Sequence, residues 1–461
     1  MLICMLAGQF MKIFATRTGV PYTCLITIFG FVLGAFQEKM GKRMKKSLLI
    51  WGSMDPHLLL LLFIPALIFE SAFNSDWHVF KKVMGQVLVM AGPMLLVSTA
   101  LSGLMMRYIL QYQVIEGVEF SFTAALLFGS IVSATDPVAV VVLLKELGAS
   151  KRLSTLIEGE SLLNDGTAMV VFLVLLDLVK GVELTAGDIV LKFARLSLGG
   201  PILGLAGGFI LSFILKRIHN NFVLEVNSTV FVAYLVFFLA EMTPVHVSGI
   251  LALVALGLYM TRSGRTMISA ESEHSVHHVW GYIGFIAETI IFILTGLILG
   301  ERIVMENQIV WQDFVKLIFG TYPILHVIRF LVILLFYPCL KRMGYGMTMK
   351  EVLLSTYAGL RGAVGLSLAL MVSIEPSIDA QIQDIILVHV GGMALLTLLI
   401  NATTTEWLVK KLGLNKESDI QKNILFGIAV KIQKNTEDTI EILKTRRHFN
   451  QVDWNQLREK V

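Results

Sequence analysis

The chain has 461 residues, 55% of them hydrophobic and only 16% charged, with a mean hydropathy of +0.74. A soluble domain carries roughly a quarter charged residues, so an ordinary soluble fold is excluded, and a net charge of +4 gives no basic face for nucleic acid. Apolar stretches of bilayer-crossing length recur without the alternation of a barrel, which predicts an all-α polytopic membrane protein.

In chain order, about thirteen transmembrane spans are predicted, at 1–13, 20–36, 56–73, 83–110, 120–144, 154–179, 189–215, 227–240, 246–260, 276–299, 310–338, 351–374 and 384–408. The first begins at the initiator Met and looks clipped, and it lacks the basic and small-residue features of a cleavable signal peptide. Span 8 is short enough to be tilted or partly re-entrant. Loop charge orients the chain. Lys81/Lys82, Lys145/Lys151/Arg152, Lys216/Arg217, Arg262/Arg265, Lys341/Arg342/Lys350 and Lys410/Lys411/Lys416/Lys422 fall on one side. Glu116/Glu119, Glu183/Asp188, Glu241, Glu301/Glu306 and Glu375/Asp379 fall on the other. This predicts a cytosolic C-terminus and an outer N-terminus, with the basic loop "QEKMGKRMKKS" running against the pattern. The sequon at Asn227 falls on an inner loop and is expected to be unused. Cys4, Cys24 and Cys339 have no metal or disulfide spacing.

Residues 1–412 are expected to form the transmembrane domain and 413–461 a cytosolic amphipathic tail, with Ile424, Leu425, Ile428 and Ile432 at helical spacing. Spans 5 and 12 are the most interrupted by polar and glycine residues, and they lie seven apart. Corresponding broken helices mark an inverted-repeat transporter with its site between them. Spans 1–6 and 8–13 would be the repeats and span 7 the linker. The glycines of "LSLGGPILGLAGG" suit close helix contact, with a dimer interface as one use.

Span 5 holds "GSIVSATDPVAVVVLL". Pro137 cannot donate to the Ser133 carbonyl and disfavours helix at Asp136, so unwinding is expected at Ala134–Asp136. Freed carbonyls with the Thr135 hydroxyl and the Asp136 carboxylate suit a small hard cation; the alternative is a plain proline kink with Asp136 capping the next half-helix, and the two are compatible if the cap uses Asp136 while the carbonyls face the ion. In span 6, "IEGESLLNDGTAMVV", the polar residues share one semicircle, with Ser161/Asp165 and Glu160/Asn164 as i, i+4 pairs. Glu158 is expected at the interface. Asp165 lies about eleven residues in, near mid-membrane, where an ionisable group is a functional candidate. Span 12, "STYAGLRGAVGLSLALMV", places Arg361 among Gly359, Gly362 and Gly365. Its expected partners are Glu70, Asp136 or Glu288, and Arg329 in span 11 competes for Glu288. Both arginines are assigned to structure or tuning. His246, His326, His389 and Glu241 are expected to be structural or interfacial.

No nucleotide-binding motif is present and no cofactor is expected, so transport would run on ion gradients. One buried carboxylate beside oxygen ligands binds either H⁺ or Na⁺, because desolvation favours the proton and a nearby Arg favours the ionised form. Competition for Asp165 gives electrically neutral exchange.

The motifs "PALIFESAF", "SATDPVAVV", "EGESLLNDGTAMVV", "ETIIFILTG" and "GLRGAVGLSLAL", in this order, resemble the cation/proton antiporter family that includes the sodium/proton exchangers. The likeness covers about residues 15–410. It implies Asp165 as ion and proton carrier beside Asn164, with Thr135–Asp136 on the first crossing helix, Glu160–Ser161 before the carrier, Glu70 on the third span and Arg361 on the second crossing helix. It also implies a thirteen-span inverted-repeat fold, a homodimer, an elevator-like motion, 1:1 exchange of Na⁺ for H⁺ and a role in intracellular pH at the plasma membrane. "TEWLVKKLGLNK" resembles the sperm-specific branch, implying a sperm flagellar membrane. That branch also carries a voltage sensor and a cyclic-nucleotide domain, for which these residues offer no counterpart. The alternatives are a truncated, non-transporting isoform acting as a membrane dimer partner and, disfavoured by the occluded Asp–Arg network, a cation channel.

Overall fold

The computed structural model describes residues 2–18, 20–43, 45–47, 56–110, 120–183, 185–218, 220–305, 311–415 and 419–445. The expected loop charges at Glu116, Glu119, Glu306 and Lys416, the side chains of Lys422, Ile424 and Leu425, and the tail beyond residue 445 lie outside the described residues.

Among the described residues the chain is all helix and has no strand. The helices are α1 (Leu2–Thr18), α2 (Tyr22–Ala35), α3 (Pro56–Asn74), α4 (Trp77–Val89), α5 (Leu95–Met105), α6 (Phe122–Ser133), α7 (Val138–Glu146), α8 (Lys151–Val179) and α9 (Ala186–Leu215). They continue as α10 (Phe222–Met242), α11 (Gly249–Tyr259), α12 (Ala270–Met305), α13 (Trp311–Arg342), α14 (Met349–Tyr357), α15 (Ala363–Ser373), α16 (Ala380–Leu396), α17 (Thr403–Leu412) and α18 (Asp419–Lys444). Helix overlies each predicted range. By length and composition, eight helical runs among the described residues can cross a membrane, and four shorter apolar helices accompany them. The short span 8 is the 21-residue α10, one of those eight runs rather than a re-entrant piece, and Asn227 lies inside it rather than on a loop.

Helix starts follow capping chemistry. Asp76 accepts from the His78 and Val79 amides at the head of α4, and Ser121 from Ala124 at α6. Thr185/Asp188 and Thr348/Glu351 form capping boxes at α9 and α14. These side chains satisfy amides that have no partner within the helix.

α2 and α12 run side by side with their backbones almost touching. A Cβ on Gly30 or Gly34 of α2 would overlap the Ile293 or Leu297 carbonyl, and one on Gly296 or Gly300 of α12 the Thr27 or Phe31 carbonyl. Gly200 and Gly204 of α9 meet the Ser248 and Ala252 backbone of α11 in the same way. The "LSLGGPILGLAGG" glycines therefore close a contact inside the chain, the expected close helix packing, because small residues let two backbones approach. α1–α3 with α9–α12 make one wall of the molecule, and α4–α8 with α13–α17 pack against it.

The basic loops gather at one end, where Lys145 pairs with Glu158, Lys151 with Asp76, and Arg152 with Glu351. At the other end Lys180 pairs with Glu375 and Lys192 with Asp177.

Candidate functional site

Two broken helices cross at the centre. The α6–α7 helix opens over residues 134–137, and the α14–α15 helix over residues 358–362. Proline alone does not make the first break: Pro65, Pro201, Pro323 and Pro338 sit inside continuous helices. The opposing strand accepts what the helix gives up. The Asp136 amide donates to the Leu360 carbonyl at 2.9 Å. A Cβ at Gly362 would overlap the Asp136 side chain, so only glycine lets the strands meet. Asp136 Oδ1 accepts from the Val138 amide at 3.1 Å, capping α7, as one of the two expectations held.

The expected free carbonyls are occupied in this conformation. Ser133 O accepts from Asn164 Nδ2 at 3.3 Å, and Ala134 O from Arg361 Nη1 at 3.4 Å. Arg361 Nη1 also reaches Gly359 O at 3.3 Å, and the Arg361 amide donates to Thr397 Oγ1 at 3.2 Å. The expected pairing of Arg361 with Glu70, Asp136 or Glu288 is thus corrected: it holds backbone carbonyls, because unwinding aims the dipoles of both strands at the crossing. Thr397 sits in the π-helical stretch Thr397–Ala402 between α16 and α17.

The expected pairing of Arg329 with Glu288 is also corrected. Arg329 Nη2 binds Glu160 Oε1 at 2.7 Å, with side chains 15% and 5% exposed. Its Nε donates to Ser355 O at 3.0 Å and its Nη1 lies 3.4 Å from Thr135 Oγ1. Glu288 lines the cavities on the other side of the crossing residue Asp136. Thr135 Oγ1 also accepts from Asn164 Nδ2 at 3.0 Å. Glu160, Thr135, Asn164 and Arg329 therefore form one hydrogen-bonded group behind the crossing. Asn164 Oδ1 and Arg361 Nε are buried without a hydrogen-bond partner.

On the neighbouring face of α8, Ser161 and Asp165 are 8% and 7% exposed. Among the described residues none hydrogen-bonds to the Asp165 carboxylate. It lines a cavity of about 480 Å³ together with Glu70, Asp136, Glu158 and Glu288, and with Lys12 and Lys145. Five carboxylates against two lysines make this a cation-attracting vestibule. Glu70 accepts from Asn74 Nδ2 at 2.7 Å on its wall. Glu158, expected at the interface, lines the cavity and meets Lys145 at 3.5 Å. A second cavity of about 750 Å³ shares Asp136 and Glu288 and extends to Arg361 and Tyr22. From the opposite end a third, of about 740 Å³, is lined by Asp177, Lys192 and Glu241 and reaches Met169, one turn of α8 beyond Asp165.

Several residues of this region were missed in the sequence. Lys12, a lysine inside an apolar span, was a signal that could have been used. The Asn401 amide, which accepts from Tyr322 and donates to His326 Nε2 at 2.7 Å and to Tyr357 O at 2.9 Å, left no local signal.

A family model described as "Sodium/hydrogen exchanger, transmembrane" matches residues 2–411. The chain is similar to Sodium/hydrogen exchanger 7 of Arabidopsis thaliana, 38% identical over 88% of this chain and 36% of that protein. Sodium/hydrogen exchanger 8 of the same plant is 36% identical over 95% of this chain and 58% of its own length. The chain thus spans only about a third to just over half of these two relatives. The Na(+)/H(+) antiporter ApNhaP of Aphanothece halophytica is 31% identical, over 86% of this chain and 70% of that protein. In fold, the chain superposes on the sodium proton antiporter MjNhaP1 of Methanocaldococcus jannaschii with a TM-score of 0.73 at 19% identity, covering 90% and 97% of the two chains.

Proposed function

The chain belongs to the sodium/hydrogen exchanger family, and from that premise we propose that it exchanges Na⁺ for H⁺ across a membrane with Asp165 as the carrier. The observation that carries this reading is the Asp165 carboxylate itself: buried at mid-helix, free of protein hydrogen bonds among the described residues, and lining an acidic cavity. A carboxylate so placed holds either a proton or a hard cation, never both. Asp136 is engaged in capping α7 and Glu160 in its pair with Arg329, which leaves Asp165 as the titrating group. Loading one charge in each direction makes the exchange electroneutral. Ser161, Asn164, Thr135 and Asp136 surround the carrier, while Glu160, Arg329, Arg361, Glu70 and Glu288 hold or tune it. The third cavity, which reaches Met169 one turn beyond Asp165 from the opposite end, supports access to the same carboxylate from either side after a small displacement of α8.

The same reading takes residues 1–412 as a thirteen-span exchanger domain and 413–461 as a cytosolic helical tail. It places a homodimer in the plasma membrane, where it adjusts intracellular pH. The narrower likeness of "TEWLVKKLGLNK" to the sperm-specific branch rests on that segment alone. Na⁺-dependent pH recovery in exchanger-deficient cells, or in vesicles holding the full chain, tests the proposal. Wild type is expected to exchange and Asp165→Asn to stop; equal exchange by both would remove Asp165 as carrier.

A further inference from the structure

The first turns of α12 divide cleanly. Ser272, Val276 and Trp280 are buried, whereas Glu271, His274 and His278 stand exposed on the opposite face. His274 and His278 are an i, i+4 pair, side by side on that face. Their Nε2 atoms lie 3.1 Å apart, with ring centroids 4.1 Å apart and planes inclined at 77°. The two nitrogens point at each other rather than into solvent.

We infer that His274 and His278 form a chelating site for a borderline divalent metal ion of the Zn²⁺ type on the exposed face of the first turns of α12. Metal–imidazole bonds of about 2.0–2.1 Å put two ligand nitrogens roughly 2.9 Å apart at a right angle and about 3.4 Å apart at the tetrahedral angle. The observed separation falls between them, so a metal can take the place of the hydrogen bond between the rings with little change in their separation, once each ring turns its Nε2 lone pair off the N···N line toward the metal. Among the described residues no preformed trio of His, Cys or carboxylate donors exists, so water completes the coordination. Glu271, one turn earlier on the same face, adds negative charge. Imidazole suits Zn²⁺, Ni²⁺ and Cu²⁺, whereas Na⁺, Mg²⁺ and Ca²⁺ prefer oxygen. The site is therefore chemically distinct from that of the transported cation.

Its position couples it to the cavity wall. Between the two ligands, His277 stacks on Phe73 and lies 2.6 Å from Asn74 Oδ1 through Nδ1. Asn74 uses its amide nitrogen on Glu70, so its oxygen must accept and His277 Nδ1–H must donate. A metal bridging His274 and His278 would fix the turn that carries this chain of bonds.

The test is calorimetric titration of the purified full chain with Zn²⁺. Changes around a metal ligand cost about 10–100-fold in affinity, so losing a ligand in His274→Ala or His278→Ala should cost roughly tenfold or more. His78→Ala, an exposed histidine elsewhere, should bind as wild type. The His274→Gln/His278→Gln double variant keeps a polar face and should share the wild-type thermal midpoint in chelator, while only wild type is raised by Zn²⁺. Equal Zn²⁺ affinity in wild type and the double variant, or no binding by wild type, would overturn the inference. Binding is measured directly, so failure of this chain to exchange Na⁺ for H⁺ leaves the test intact.

Discussion

Glu160 and Arg329 offer the sharpest energetic test of the core. At 2.7 Å their attraction is about 6 kcal/mol at an effective dielectric of about 20. Desolvating each ion takes back several kcal/mol. The pair is then nearly neutral in net stability, yet removal of either partner strands the other charge. Glu160→Leu or Arg329→Met alone should each destabilise by about 3–5 kcal/mol. The double variant should lose only about 1–3 kcal/mol, chiefly the Arg329 bonds to Ser355 O and Thr135 Oγ1. Equilibrium unfolding of all four proteins in mixed micelles closes the cycle, with an expected coupling of at least about 2 kcal/mol. If the double variant loses the sum of the single losses, the two charges do not interact and the assignment is wrong.

The crossing makes a steric prediction. Gly362→Ala drives a methyl group into Asp136 and should cost at least about 1–3 kcal/mol and abolish exchange. Gly365→Ala, whose nearest neighbour would be Ile131 O at 3.5 Å, should be tolerated in both assays. Asn401→Leu leaves Tyr322, His326 and the Tyr357 carbonyl without their partner and should lower the unfolding free energy by at least about 2 kcal/mol. The Lys151 ammonium beside Asp76, with the His78 and Val79 amides, holds the Asp76 carboxyl below the usual carboxylate range. Its stabilisation should be complete above about pH 4 and fade as pH falls through the lowered folded value. In Asp76→Asn that acid-side slope should be missing from a thermal-midpoint profile, and an unchanged profile would remove Asp76 from the stability of α4.

The buried place of Asp165 on the polar wall of α8 was legible because its signals lie within one helix. Depth in an apolar run and i, i+4 spacing to Ser161 are local, and folding of α8 preserves both. The break at Pro137 was placed correctly for a reason that proved incomplete. Four other prolines stay inside continuous helices, and the break at residues 358–362 contains none. What separates them is the Leu360 carbonyl, which receives the Asp136 amide from across the crossing.

The arginines were illegible for the same reason. Any membrane arginine needs partners, but which ones depends on the rotation and height of helices far apart in the chain. Arg329 and Glu160 are 169 positions apart, and nothing near either points to the other. Length, apolarity and polar spacing along single helices determined the all-helical membrane class, the two interruptions and the wall of α8 that bears Asp165. Only the packing of α8, α13 and the two crossing strands decided that Arg329 meets Glu160, that Arg361 holds carbonyls, and that Asp165 is left unpaired. Each of those outcomes is a contact between helices, and its geometry is absent from any one of them.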